Sequence, residues 1–230
     1  MADLPKVVLV HGAWADGSCW TAVIESLQAQ GYDVTAPQFP ETSTEDDVAR
    51  LRQALDRIEG PVILAGHSYG GQIITALGPD PKVAALVYVA AFALDAGQST
   101  AEAGKGYPAS PGIQQLVADS KGWLSLPPQA LAEDFAQDVP AAQAAVMAVT
   151  QGPIQAKAFD DKPSVAAWKT RPSWYIVSAN DRMIPPDLER AMAKKIGATT
   201  TTLPTSHVPQ QSRPEDVAAV ILAAVKAATR

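Results

Sequence analysis

Cysteine is almost missing from this chain. Cys19 stands alone among 230 residues, which excludes an intrachain disulfide and every zinc site built on paired thiols. Histidine is nearly as scarce, with only His11, His67 and His207, and no Cys/His spacing resembles a metal site, so no metal is expected. A basic surplus is lacking too. With 18 Lys plus Arg against 24 Asp plus Glu, the formal charge is −6, and no basic run could neutralise a row of phosphates, so nucleic acid is not an expected partner. The glycines form neither G-x-G-x-x-G nor a P-loop with its lysine, so no nucleotide cofactor, and no other cofactor, is expected. The chain start has no charged segment followed by a long apolar stretch, which predicts neither signal peptide nor membrane anchor. Cytoplasm is then the default expectation, with a secreted or periplasmic place left open if a leader has been trimmed. Nothing in the sequence bears on oligomeric state.

What is present is ordinary for a folded domain. Hydrophobic residues make up 47% and charged residues 18%, and the length fits one domain able to bury a full core. Short apolar runs at 6–10, 32–36, 61–65, 83–90, 172–178 and 199–203 alternate with helical patterns at 19–30, 44–58, 69–77, 186–196 and 214–228. That alternation predicts an α/β fold, with a mostly parallel sheet of about six strands and helices on both faces. Residues 44–47 resemble a capping box with an acidic first turn. The pattern breaks over 95–164, which carries no convincing strand but has helical stretches at 113–121, 129–137 and 141–150 between Pro and Gly clusters. The expectation is a core of 1–94 and 165–230 with a helical cap inserted at 95–164. A cap over a binding site and a purely stabilising decoration are both readings of such an insertion.

Gly66-His67-Ser68-Tyr69-Gly70 follows an apolar run and opens a helical one. This is the strand, turn and helix context of the G-x-S-x-G nucleophile elbow, in which a strained turn lifts the serine hydroxyl above the sheet edge. Ser68 is the candidate nucleophile. Among the histidines, His67 adjoins Ser68 and His11 closes the first strand, where a packing role suits it. His207 remains as base, in the loop before the final helix, where the order Ser, Asp or Glu, His requires it. The acid that orients it should lie between them at the end of a strand. Asp181 meets that condition, and Asp95 is the alternative. For the oxyanion, the N–H of Tyr69 is one donor, and the loop His11-Gly12-Ala13-Trp14 offers the N–H of Ala13 as the second. Trp14, beside it, is the candidate substrate contact.

These segments resemble a family. Val8-Leu9-Val10-His11-Gly12-Ala13-Trp14, Ala65-Gly66-His67-Ser68-Tyr69-Gly70-Gly71, Ser178-Ala179-Asn180-Asp181-Arg182 and Ser206-His207-Val208-Pro209 resemble, in that order, the oxyanion loop, elbow, acid loop and histidine loop of small bacterial α/β-hydrolases. That group is related to the plant methylesterases and hydroxynitrile lyases. The resemblance implies the α/β-hydrolase fold, a helical cap over the site, and a serine esterase acting on small carboxylic esters. Two departures disfavour the lyase branch. A threonine of the lyases is Gly12 here, and the lysine that follows their histidine is Val208, which removes the cation that would stabilise a leaving cyanide. A triad-bearing small-molecule receptor of this fold is the alternative to an enzyme. In the insertion, Trp123, Leu124, Phe135, Val146, Met147 and Phe159 are expected to form an apolar pocket for small to medium esters.

Overall fold

The structure is a computed structural model that describes residues 4–229. In chain order it runs β1 (Lys6–Val10), α1 (Thr21–Ala29), β2 (Val34–Thr35), α2 (Thr44–Asp56), β3 (Val62–His67), α3 (Tyr69–Ala76) and β4 (Val83–Val89). There follow α4 (Thr100–Ala103), β5 (Val117–Ala118), β6 (Trp123–Ser125), α5 (Pro128–Ala130), α6 (Ala141–Thr150) and β7 (Ile154–Gln155). The chain then closes with β8 (Ser173–Ser178), α7 (Pro186–Lys195), β9 (Thr199–Leu203), α8 (Pro209–Ser212) and α9 (Pro214–Ala228).

Six strands form one parallel sheet in the order β2-β1-β3-β4-β8-β9. The inner strands β1, β3, β4 and β8 are buried along nearly their whole length, as the sequence predicts for parallel strands under helices, whereas the edge strand β9 is mostly exposed threonine. Alternate residues feed two separate cores. Val8, Val10, Leu64 and Tyr88 pack with residues of α2, α3 and α7, while Val7, Leu9, Ile63 and Val87 pack with those of α1 and α9. The chain passes from β1 to one side for β2 and to the other for β3. That reversal opens a crevice at the carboxyl ends of β1 and β3, where open α/β sheets bind ligands.

Several expectations need correction. The strand expected at 32–36 is only Val34–Thr35, and the helix expected at 19–30 begins at Thr21 after a 3-10 turn, Gly17–Trp20. The cap of α2 is Ser43, whose Oγ accepts from the N–H of Asp46 at 3.2 Å. Thr44 is instead buried and accepts from Gln72 Nε2 at 2.6 Å. The insertion is not purely helical: β5, β6 and β7 form a small antiparallel sheet within it. The helix expected at 113–121 reduces to a 3-10 turn, Ile113–Gln115, before β5. A run of two residues has no detectable period, and Leu124 finds its partner Ile154 thirty positions along the chain, so pairing overrides local preference. The stretch 141–150 is helical as expected, and the one at 129–137 is α5 followed by a wider π-type turn, Leu131–Phe135. Among the described residues, no helix is long and apolar enough to cross a membrane.

Candidate active site

Ser68 sits between the last residue of β3 and the first of α3 with φ 54° and ψ −122°. A non-glycine residue in such a region costs about 1–3 kcal/mol and persists only where its surroundings impose it. Here they do. The N–H of Ser68 donates to Val89 O at 3.2 Å, and its carbonyl accepts from Gly71 N–H at 3.0 Å and Phe92 N–H at 3.1 Å. The flanking glycines are required by close approach. A Cβ at Gly66 would lie 2.6 Å from Gly70 O, and one at Gly70 would lie 2.5 Å from Val10 O.

The sharp turn brings three distant side chains into line. His207 Nδ1–H donates to Asp181 Oδ2 at 2.6 Å, and the Ser68 hydroxyl donates to His207 Nε2 at 2.8 Å. All three are buried. Asp181 is held by its own loop, since its Oδ1 accepts from Met183 N–H at 2.6 Å and Ile184 N–H at 2.8 Å. That loop hangs from the sheet through Ala179 N–H to Leu203 O at 2.8 Å. Asp95 lies elsewhere. It faces Lys195 at 3.1 Å and Lys169 at 4.0 Å and has no contact with His207.

The remaining histidines divide as the sequence suggests, with one addition. His11 Nδ1–H donates to Gly12 O at 3.0 Å and its Nε2 accepts from Phe39 N–H at 3.3 Å; burial holds its pKa below the usual histidine value. It braces the loop after β1. His67 is fully buried and donates from Nε2 to the carbonyl of His207 at 2.7 Å. Burial, and then the neighbouring His207, push its pKa well below the usual histidine value. It is therefore a neutral clamp on the histidine loop, a role the sequence reading did not assign.

The loop after β1 lies against the elbow. A Cβ at Gly12 would come 2.7 Å from Ser68 Cβ, so this arrangement has no room for a side chain at the position where the lyases carry threonine. The Tyr69 hydroxyl points away from Ser68 and donates to Asp47 Oδ2 at 2.7 Å, leaving only the backbone of Tyr69 at the elbow. Among the described residues, neither Ala13 N–H nor Tyr69 N–H has a protein acceptor.

A cavity of about 420 Å³ opens over Ser68 and His207. Trp14 lines it, with its ring tilted against Phe159 at 6.0 Å and its Nε1–H donating to Leu124 O at 3.0 Å. Of the insertion residues expected to form the pocket, only Phe159 borders it. Phe135 is fully buried and packs edge-on against His207 at 5.1 Å. Trp123 and Met147 border other clefts; Leu124 contributes its carbonyl to Trp14; Val146 is exposed. The apolar lining comes instead from Tyr107, Ile113, Leu116, Met183, Ile184 and Leu188. Polar ties join the insertion to the acid and histidine loops: Asp134 pairs with Arg182 at 2.6 Å, and Asp138 Oδ2 accepts from Ser206 N–H at 2.8 Å.

Comparison with known proteins agrees with this fold. The model of the alpha/beta hydrolase family matches residues 7–220. The chain is 29% identical to a pyrethroid hydrolase of Sphingobium wenxiniae, over 94% of this chain and 85% of that protein. It is 36% identical to methylesterase 7 of Arabidopsis thaliana over a shorter stretch, 39% of this chain and 41% of the relative. The crystal structure of a pyrethroid hydrolase, PytH, with BIF superposes with a TM-score of 0.87 at 26% identity, covering 99% of this chain and 100% of the other. The parallel six-stranded sheet, the serine on its strained turn and a family match along nearly all of the chain lead to one conclusion: this protein belongs to the alpha/beta hydrolase family.

Proposed function

We propose that the protein hydrolyses small to medium carboxylic esters in two steps, through an acyl-enzyme on Ser68. The observation that carries this reading is the unbroken line from Ser68 Oγ to His207 Nε2 at 2.8 Å and from His207 Nδ1 to Asp181 Oδ2 at 2.6 Å. It opens on a cavity that is apolar but for a few groups. Similarity to a methylesterase and to a pyrethroid hydrolase supports an ester as substrate.

In the first step the Ser68 oxygen attacks the ester carbonyl carbon while His207 Nε2 takes the hydroxyl proton. The carbonyl π electrons move onto oxygen, and the N–H groups of Ala13 and Tyr69 stabilise the charge formed there. The tetrahedral adduct collapses by breaking the bond to the alcohol oxygen, which leaves with the proton from His207. Water then attacks the acyl-enzyme with His207 again as base, and the acid is released as Ser68 regains its proton. Asp181 holds the imidazole tautomer and offsets the imidazolium charge in both steps. These steps use only side chains, backbone amides and water.

Residues 95–164 act as a cap whose stretch from Thr100 to Leu116 closes the pocket opposite Ser68. An open cavity of this size favours a compact apolar ester over a polymer. The test is labelling with a serine-directed reagent, followed by peptide mass spectrometry and turnover of short chromogenic esters. Modification is expected at Ser68 alone, with turnover falling about 10⁴- to 10⁶-fold in Ser68→Ala. Labelling at another residue, or binding of esters without repeated turnover, would overturn the reading.

A further inference from the structure

Beside Asp181 lies a second buried carboxyl. Glu189 is in α7, has no exposed surface, and neighbours Asp181 across Ser178, whose carbonyl accepts from Asp181 N–H at 3.2 Å. Its Oε2 accepts from the N–H of Ser178 at 2.9 Å, at the end of β8. Its Oε1 receives no donor. Among the described residues no lysine or arginine forms an ion pair with either carboxyl: Arg182 is engaged with Asp134 at 2.6 Å, and Arg190, the cation whose charge reaches Glu189, with Asp187 at 2.8 Å.

Two neighbouring carboxylates inside a protein cannot both stay ionised without a paired cation, so the pair must hold a proton. The hydrogen bonds decide which partner carries it. Asp181 accepts three N–H donors, from His207, Met183 and Ile184, all of which favour its charged form. Glu189 accepts one. We infer that Glu189 is a positioning residue for the Ser68 site, its protonated carboxyl donating from Oε1 to Asp181 and fixing that carboxylate in place. The hydrogen that Oε1 then carries also accounts for the oxygen left without a donor. Burial, followed by the charge of Asp181, raises the Glu189 pKa well above the usual carboxylate value, in the same direction. The other titratable groups nearby are Tyr175 on β8, whose hydroxyl donates to Ala91 O and is held protonated by burial, and Arg190 on α7 itself.

A hydrogen bond into Asp181 draws off part of its negative charge. It restrains the carboxylate, and it weakens the pull of Asp181 on a proton at His207. Removing the donor should therefore shift the acid limb of kcat/KM to higher pH, whereas removing a negative charge would shift it lower. Glutamine keeps both functions, since its oxygen can accept from Ser178 and its amide can donate to Asp181.

The test compares wild type with Glu189→Gln and Glu189→Leu. Leucine is expected to lower kcat about tenfold to hundredfold, the worth of a hydrogen bond to a charged group, with KM little changed and the acid limb raised. Glutamine should restore most of that loss and leave the limb where it is in wild type. Thermal unfolding of wild type and Glu189→Gln supplies a readout free of activity. The folded-state pKa of Glu189 lies above its unfolded value, so the stability it contributes is complete below about pH 4.5 and declines as pH rises toward the folded value. The folding constant of wild type should fall about tenfold per pH unit relative to Glu189→Gln across that window. A constant ratio across it, or an acid limb that drops about a pH unit in Glu189→Gln, means that Glu189 is ionised and overturns the inference. Should Glu189→Leu fail to fold, the glutamine variant alone decides. The inference rests on the proposed role of Asp181, and the two can fail separately. If Ser68→Ala retained full ester turnover the proposed mechanism would be wrong, while the unfolding ratio would still report the protonation of Glu189.

Discussion

The two walls of the cavity are built by different means. On the sheet side, Ser68, His207 and Asp181 are 5%, 0% and 6% exposed. Backbone amides or a buried side chain tie down each segment that carries them. On the insertion side the lining is the short helix α4 and the turns and loops after it, with Ile113 45% exposed and Tyr107 and Leu116 half-buried. Few directional bonds hold that wall: Thr100 Oγ1 donates to the buried Gln72 amide oxygen, and Gly112 N–H donates to Arg182 O at 3.0 Å. The difference follows from what each wall has to do. In the proposed mechanism protons pass between named atoms, a transfer that fails when they drift by an ångström, so the residues of that wall need directional bonds. Enclosing an apolar group needs only shape and area, which loops supply and which tolerate change.

The strongest way to break this comparison is at the acid. Asp181→Asn keeps the size of the side chain but places an NH2 where His207 or a backbone amide donates, so the imidazole is turned toward the wrong tautomer. A loss of about 10³- to 10⁴-fold in kcat with KM little altered is expected from steady-state kinetics. A loss below about tenfold would mean that position, and not hydrogen-bond polarity, is what the sheet wall supplies.

The walls also differ in how far they can be read from sequence. The sheet wall is legible because local rules and global topology agree there. A serine with a glycine two positions to each side, after a buried run and before a helical one, has few structural meanings, and the order Ser68, Asp181, His207 follows from where the strands end. The insertion is not legible in that way. Its strands are two or three residues long and pair across the chain, so Leu124 and Phe135 look like pocket residues when one supports Trp14 and the other packs behind His207. Glu189 was missed for a different reason. Read locally it belongs to a charged helix with Asp187, Arg190, Lys194 and Lys195. A signal was nonetheless present, because Glu189 lies three and four positions before Met192 and Ala193, on the buried stripe of α7. A carboxylate on an apolar stripe requires a partner.

A middle-sized effect sharpens the comparison from the other wall. Ile113→Ala and Leu116→Ala remove apolar contact without touching a hydrogen bond of the site. Each removes three carbons from a partly exposed side chain and should change the ratio of kcat/KM between a bulky and a minimal acetate ester by about tenfold, the low end of what one fully enclosed methylene is worth. The acetate value itself should hardly move. A panel of esters varied in acyl and alcohol size is the measurement. Equal losses for all esters would mean that the segment holds the fold together and does not select substrate.

The smallest effect is expected at Asp95, the acid that the sequence alone left as an alternative. It follows β4, as a triad acid could, but its side chain is 40% exposed and turned to Lys195 and Lys169. A carboxylate in such a place is screened by water and salt. Its pairing with lysine is worth roughly 0–1 kcal/mol. Asp95→Asn should therefore leave kcat/KM within about twofold of wild type and stability within about 0.5 kcal/mol, read from ester kinetics and denaturant unfolding. The control is informative because the same exchange of Asp for Asn is made at both positions. If Asp95→Asn cost as much activity as Asp181→Asn, His207 would be taking its orientation from a different carboxylate in solution. The directional bonds around Asp181 would then be serving the loop and not the chemistry.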